Sequence, residues 1–155
     1  MFGMTNEQVL AFNRDVIDTF RSNGGAIPDG PLQGNPTLLL TMTGARSGRR
    51  LTTPLSYAVD DDHALIVMAS AGGSPTLPAW AHNIRAEPAV TVEVHDQVYD
   101  AVAQEAGGED RQRVLARMID TLPRFAEYES AVERVIPLFR LVRAEERAPR
   151  AGDAG

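Results

Sequence analysis

A chain of 155 residues, 43% hydrophobic and 23% charged, has the size of one globular domain with one core. A net charge of −6 argues against a surface for duplex phosphates, and the absence of cysteine and lysine removes disulfides, thiolate nucleophiles, cysteine-based metal sites and Schiff-base chemistry. No stretch approaches the roughly 20 uninterrupted apolar residues of a membrane span, and the start lacks the pattern of a signal peptide, so a cytoplasmic protein without nucleic-acid or membrane partners is expected.

Thr5 and Gln8 have the form of a capping box, and Val9, Leu10, Phe12, Val16, Ile17 and Phe20 follow at helical spacing, predicting a helix over 5–23 that stops near Gly24 and Gly25. Residues 26–36, with three prolines and two glycines, form a connection. Residues 37–43, 51–59 and 64–70 read as strands, the last two joined by Asp60, Asp61 and Asp62. Pro78 starts a short helix that Pro88 stops, with Trp80, Asn83 and Ile84 on one side. A second hairpin pairs 90–94 with 98–104. Glu109 and Asp110 open a helix carrying Val114, Leu115, Met118 and Leu122, and a further helix carries Phe125, Tyr128 and Val132. A last strand is expected over 137–142, and 144–155 has the composition of a disordered tail.

About six mainly antiparallel strands, with an N-terminal helix, a short inserted helix and two C-terminal helices, define an α+β barrel in one domain, 1–143. Strands and helices do not alternate, and neither G-x-G-x-x-G after a strand nor a P-loop is present, so a dinucleotide-binding α/β fold is disfavoured.

The segment 43–50, Thr-Gly-Ala-Arg-Ser-Gly-Arg-Arg, joins two strands and holds Arg46, Arg49 and Arg50. Gly44 and Gly48 allow a turn that aims backbone N–H groups into one concavity, Ser47 adds a hydroxyl, and each guanidinium can grip a phosphate or carboxylate with two bonds. An anion site and an ordinary hairpin turn both fit it. Ala69, Ser70, Ala71, Gly72 and Gly73 end a buried strand in small residues whose backbone a planar ring could approach, and they equally suit a plain strand end. His63, His82 and His95 are scattered without acidic partners at ligand spacing, so no metal is expected, and no G-x-S-x-G marks a hydrolase.

In order and spacing, residues 38–48 (LLLTMTGARSG), 53–55 (TPL), 69–73 (ASAGG), 78–83 (PAWAHN) and 86–88 (AEP) resemble the deazaflavin-dependent nitroreductase family, and 122–128 (LPRFAEY) and 135–137 (VIP) resemble its last third. The resemblance covers 37–143 and implies a split β-barrel that binds the anionic coenzyme F-420 and passes its hydride to a nitro compound, quinone or activated alkene. It assigns Arg46, Ser47, Gly48 and Arg50 to the coenzyme's phosphate and glutamate tail. The ring falls along Thr53, Pro54 and Leu55 and against Ala69 and Ser70, with Ala71, Gly72, Gly73, Trp80 and Asn83 completing the cofactor side. Phe125, Tyr128 and Tyr57 are acceptor-side candidates, and Tyr128 or Ser70 would donate a hydrogen bond to the acceptor oxygen. Ala45, Leu51, Ala71 and Ala81 depart from the family's usual residues, and Arg49 or Arg50, of which strand alternation admits only one, would compensate for missing tail cations. FMN in the same barrel and a non-catalytic carrier of deazaflavin or another anion are the alternatives. An open barrel edge suits a homodimer.

Overall fold

The computed structural model describes residues 5–27, 36–70, 77–131 and 135–144. Helix α1 spans Asn6–Ser22 with the expected capping box: Thr5 Oγ1 accepts from the N–H of Gln8 at 3.1 Å, and the Thr5 N–H donates to Gln8 Oε1 at 2.8 Å. The strands are β1 (Thr37–Thr43), β2 (Arg50–Ser56), β3 (Ala58–Val59), β4 (Leu65–Met68), β5 (Ala89–Val94), β6 (Gln97–Glu105) and β7 (Leu138–Arg143). Helix α2 (Ala79–Ala86) lies between β4 and β5, and α3 (Gly108–Thr121) and α4 (Phe125–Ala131) lie between β6 and β7. The expected tail falls, from 145 onward, outside the described residues.

All strands join one antiparallel sheet in the order β2-β1-β5-β6-β7-β4-β3. The single strand expected over 51–59 is two: its first part pairs with β1 and its second with β4, at opposite edges of the sheet. Only Tyr57 separates them, and consecutive Cα atoms are about 3.8 Å apart, so the two edges must meet. The sheet therefore curls into a barrel closed by one shared, bent strand. This is the split barrel that the sequence resembles, with six strand positions around it.

Alternation divides the side chains between two cores. Leu38, Leu40, Met42, Leu65, Val67, Val90, Val92, Val94, Phe139 and Leu141 fill the interior, joined by Ala81 and Ile84 of α2. Ile66, Met68 and Leu138 point outward, where Val114 and Met118 of α3, Leu122 and Phe125 cover them. Helix α1 is tied to the outer face of β5 by a two-pronged bond from Arg21 to Glu93, at 2.8 and 3.0 Å. Just beyond α1, Gly25 has φ +93°, and a Cβ there would lie 2.4 Å from the carbonyl oxygen of His95, so only glycine fits between the end of α1 and the β5–β6 turn.

Helix α3 is held by ions that no local pattern announces. Asp60, expected as a turn residue, is buried, its side chain 1% exposed, and it accepts from Arg140 of β7 and from Arg113 of α3 at 3.1 Å. Arg140 also donates to Asp110 at 2.5 and 2.6 Å, Arg113 to Asp110 at 2.7 Å, and Arg117 pairs with Asp61. Hydrogen bonds from Arg140 and then Arg113 hold the Asp110 carboxyl well below its ordinary 3.8, at about 2. A carboxyl depressed in the folded state stabilises the fold above its unfolded value and loses that contribution as pH falls towards the folded one. Chemical unfolding followed from pH 5 to pH 2 should thus show a stability loss concentrated below about pH 4 that an Asp110→Asn variant lacks; parallel profiles would remove Asp110 from acid unfolding.

Candidate active site

The two ends of the barrel differ. At one end lie the β1–β2 turn, the end of β4, and α2. The turn is built from its own backbone: the Gly44 N–H donates to Arg49 O at 2.8 Å, the Gly48 N–H to Gly44 O at 2.9 Å, and the Arg49 N–H to Ser47 Oγ at 3.1 Å. Gly48 takes φ +70°, in the left-handed region that suits glycine. Asn83 of α2 accepts from the Ala45 N–H at 2.9 Å, which fixes the turn against the helix. The N–H groups of Arg46 and Ser47 at the tip have no hydrogen-bond partner among the described residues, and neither do the exposed guanidiniums of Arg46 and Arg49.

Arg50 differs from its neighbours. Its guanidinium donates to Thr43 Oγ1 at 3.0 Å and to Thr91 Oγ1 at 3.1 Å, and Thr91 donates on to Asp100 at 3.2 Å, so the fork lies along the outer face of the sheet. Pairing gives the reason: Arg50 sits opposite Thr43, and Thr41 opposite Thr91, all on the face turned away from Met42.

Along β2, Leu51, Thr53 and Leu55 lie opposite Met42, Leu40 and Leu38, on the interior side, while Pro54 sits opposite Leu39 on the other. The inward residues of β1 are buried, yet Thr53 and Leu55 are half-buried and Leu51 is 41% exposed. An apolar strip therefore stays partly open beside the turn. Ala69 is buried in the interior core, and Trp80, half-buried, packs edge-on against Phe139 with ring centres 5.9 Å apart. Ser70 is buried, 5% exposed, while Ala71, Gly72 and Gly73 lie outside the described residues.

Of the acceptor-side candidates, Phe125 and Tyr128 are brought together and Tyr57 is not. Tyr57 lies at the other end of the barrel, where its N–H donates to Pro36 O at 3.1 Å and its hydroxyl is 3.3 Å from His95 Nε2; burial, with Tyr99 nearby, pushes its phenol above the ordinary value. Phe125 and Tyr128 pack edge to face, 5.0 Å between ring centres, in the outer core beside Met68, Ile136 and Leu138. They thus approach the turn's end of the barrel from outside the sheet, whereas Ala69 and Trp80 approach from within. A link that no local spacing marks is made by Arg111 of α3, whose guanidinium joins Glu129 of α4 to the carbonyl of Ile136.

A model of the F420H(2)-dependent quinone reductase family matches residues 12–143. An F420H(2)-dependent quinone reductase of Mycobacterium tuberculosis is 35% identical over 123 residues, which cover 77% of this chain and 79% of that protein. A solved structure described as an F420-H2 dependent reductase (FDR-A) is 36% identical with a TM-score of 0.63, covering 68% of this chain and 93% of its own. Another, described as a domain-swapped dimer, is 32% identical with a TM-score of 0.65, covering 83% and 95%.

Proposed function

The chain belongs to the F420H(2)-dependent quinone reductase family, and from that membership we propose that it oxidises reduced F-420 with a small quinone-type acceptor at the barrel end that carries the 44–49 turn. The observation that carries this reading is the adjacency of a turn with two N–H groups and two guanidiniums that have no partner among the described residues to the partly open strip of Leu51, Thr53 and Leu55 on β2. Those donors fit an anionic tail, and the strip fits one side of a flat ring.

When bound, the reduced coenzyme supplies a hydride that, with one proton, converts a quinone to its hydroquinone and leaves the coenzyme oxidised, so no side chain need be a nucleophile. Arg46 and Arg49 hold the tail, while Arg50, whose fork is occupied, shapes the turn. Asn83 keeps the turn in register with α2. Thr53, Leu55, Ala69 and Trp80 orient the ring and exclude water. Ser70 and Tyr128 donate hydrogen bonds to the acceptor oxygen as negative charge develops there. Nitro compounds and activated alkenes are further acceptors in this reading, the protein works in the cytoplasm, and the neighbour described as a domain-swapped dimer supports a homodimer.

The test is a fluorescence titration of the purified protein with F-420 and with FMN, followed by mixing with reduced F-420 and a short-chain 1,4-benzoquinone. Saturable binding of F-420 over FMN, with quinone-dependent oxidation, is expected. Preference for FMN would overturn the cofactor, and tight F-420 binding without turnover on any acceptor would make the protein a carrier.

A further inference from the structure

Helix α4 has seven residues, too few to hold their own shape in water, so its placement depends on what grips it. One grip is apolar: Phe125 is buried in the outer core, and Tyr128 leans on its ring. The other is Arg111 of α3. Its Nη2 donates to both carboxylate oxygens of Glu129, at 3.1 and 3.3 Å, and to the carbonyl of Ile136 at 2.7 Å. One nitrogen thereby ties the end of α4 and the entry to β7 to the same point on α3.

As a source of stability this arrangement is poor. Arg111 is only 13% exposed, and its Nε is buried without a hydrogen-bond partner among the described residues. An apolar side chain of similar length would avoid that unsatisfied donor and the desolvation of the pair. What a guanidinium supplies and an apolar chain does not is one fixed geometry between three separate pieces of chain.

We propose that Arg111 is a positioning residue for the acceptor: acting through Glu129, it sets where Phe125 and Tyr128 stand and so how tightly a quinone is held. The inference rests on the reading above that these two rings face the acceptor. Arg111 has no bond to the 44–49 turn, β2 or α2 among the described residues, so it governs acceptor binding separately from coenzyme binding.

The experiment compares Arg111→Met, Arg111→Lys and Glu129→Gln in the full chain, measuring the F-420 dissociation constant by fluorescence and steady-state kinetics with reduced F-420 and a short-chain 1,4-benzoquinone. Arg111→Met should leave F-420 binding within about twofold, raise the quinone KM about tenfold and lower kcat several-fold, the pattern expected when acceptor binding and the hydrogen bond from Tyr128 to the developing charge are lost together. Arg111→Lys, which keeps the charge, and Glu129→Gln, which keeps an accepting oxygen, should each raise KM about threefold. A parental KM in Arg111→Met, or equal changes in F-420 binding and KM, would overturn the proposal. If Arg111→Met does not fold, Glu129→Gln decides alone, and a parental KM there overturns it too. A parent protein inactive with every quinone would instead sink the underlying function, which separates the two failures.

Discussion

Replacing Arg140 with Met should lower the melting temperature by roughly 6 to 12 °C, the largest effect expected of any single exchange away from the site. Arg140 is the shared partner of Asp60 and Asp110, and Asp60 is almost wholly enclosed. Removing one member of a buried pair costs about 3 to 5 kcal/mol, because the remaining charge is left without compensation. Arg113, about half exposed, still reaches Asp60 at 3.1 Å, so the lower part of that range applies. In a domain of this size each kcal/mol corresponds to roughly 2 to 4 °C. Pairing the change with Asp60→Leu should recover most of the loss, since the stranded charge is then gone. Thermal unfolding of the two variants decides the matter: an unshifted melting temperature in Arg140→Met would show that Arg113 alone satisfies Asp60.

Removing both exposed cations of the β1–β2 turn, as Arg46→Ala with Arg49→Ala, should weaken F-420 binding about thirtyfold. Charge-assisted bonds to phosphate or carboxylate are the strong members of their class, but both arginines are exposed and screened, so about 1 kcal/mol each is the appropriate scale. Arg50→Ala should have a smaller effect on binding, because its fork already serves Thr43 and Thr91. Raising ionic strength should weaken the parent protein more than the double variant. Fluorescence titration at two salt concentrations tests this, and a double variant that binds as tightly as the parent would remove the turn from tail recognition.

The features that were legible in the sequence are those written within a few residues. The capping box of Thr5 and Gln8, the run of β1, and the prolines around α2 set element boundaries through local chemistry, and the observed helices and strands follow them closely. The contact between Phe125 and Tyr128 was likewise implied by their helical spacing. What local chemistry does not encode is which strand lies beside which. Inside–outside alternation continues through Tyr57, so nothing marks the point where the strand over 51–59 changes partner from β1 to β4. Asp60 looks like the first of three turn aspartates, and only a contact across 80 residues makes it the buried centre of an ion network. Arg49 and Arg50 are neighbours that alternation sends apart, but assigning Arg50 to the outer face required Thr91, 41 residues away.

The place of β7 bears on how the chain is made. Among the described residues it is the last strand in sequence, yet it lies between β6 and β4, and there β4 has only the two residues of β3 as its other partner. During synthesis the N-terminal strands emerge first, so the wholly buried run Leu65–Met68 must wait for residues 138–143 before its second edge is covered. Pairing over such separations is slow compared with a local hairpin like β5–β6. For that interval a short, uncharged, wholly apolar segment stands exposed on the nascent chain, the kind of stretch most prone to associate with another copy of itself. The same strand order that closes the barrel so completely in the finished protein therefore leaves the unfinished one dependent on its last strand.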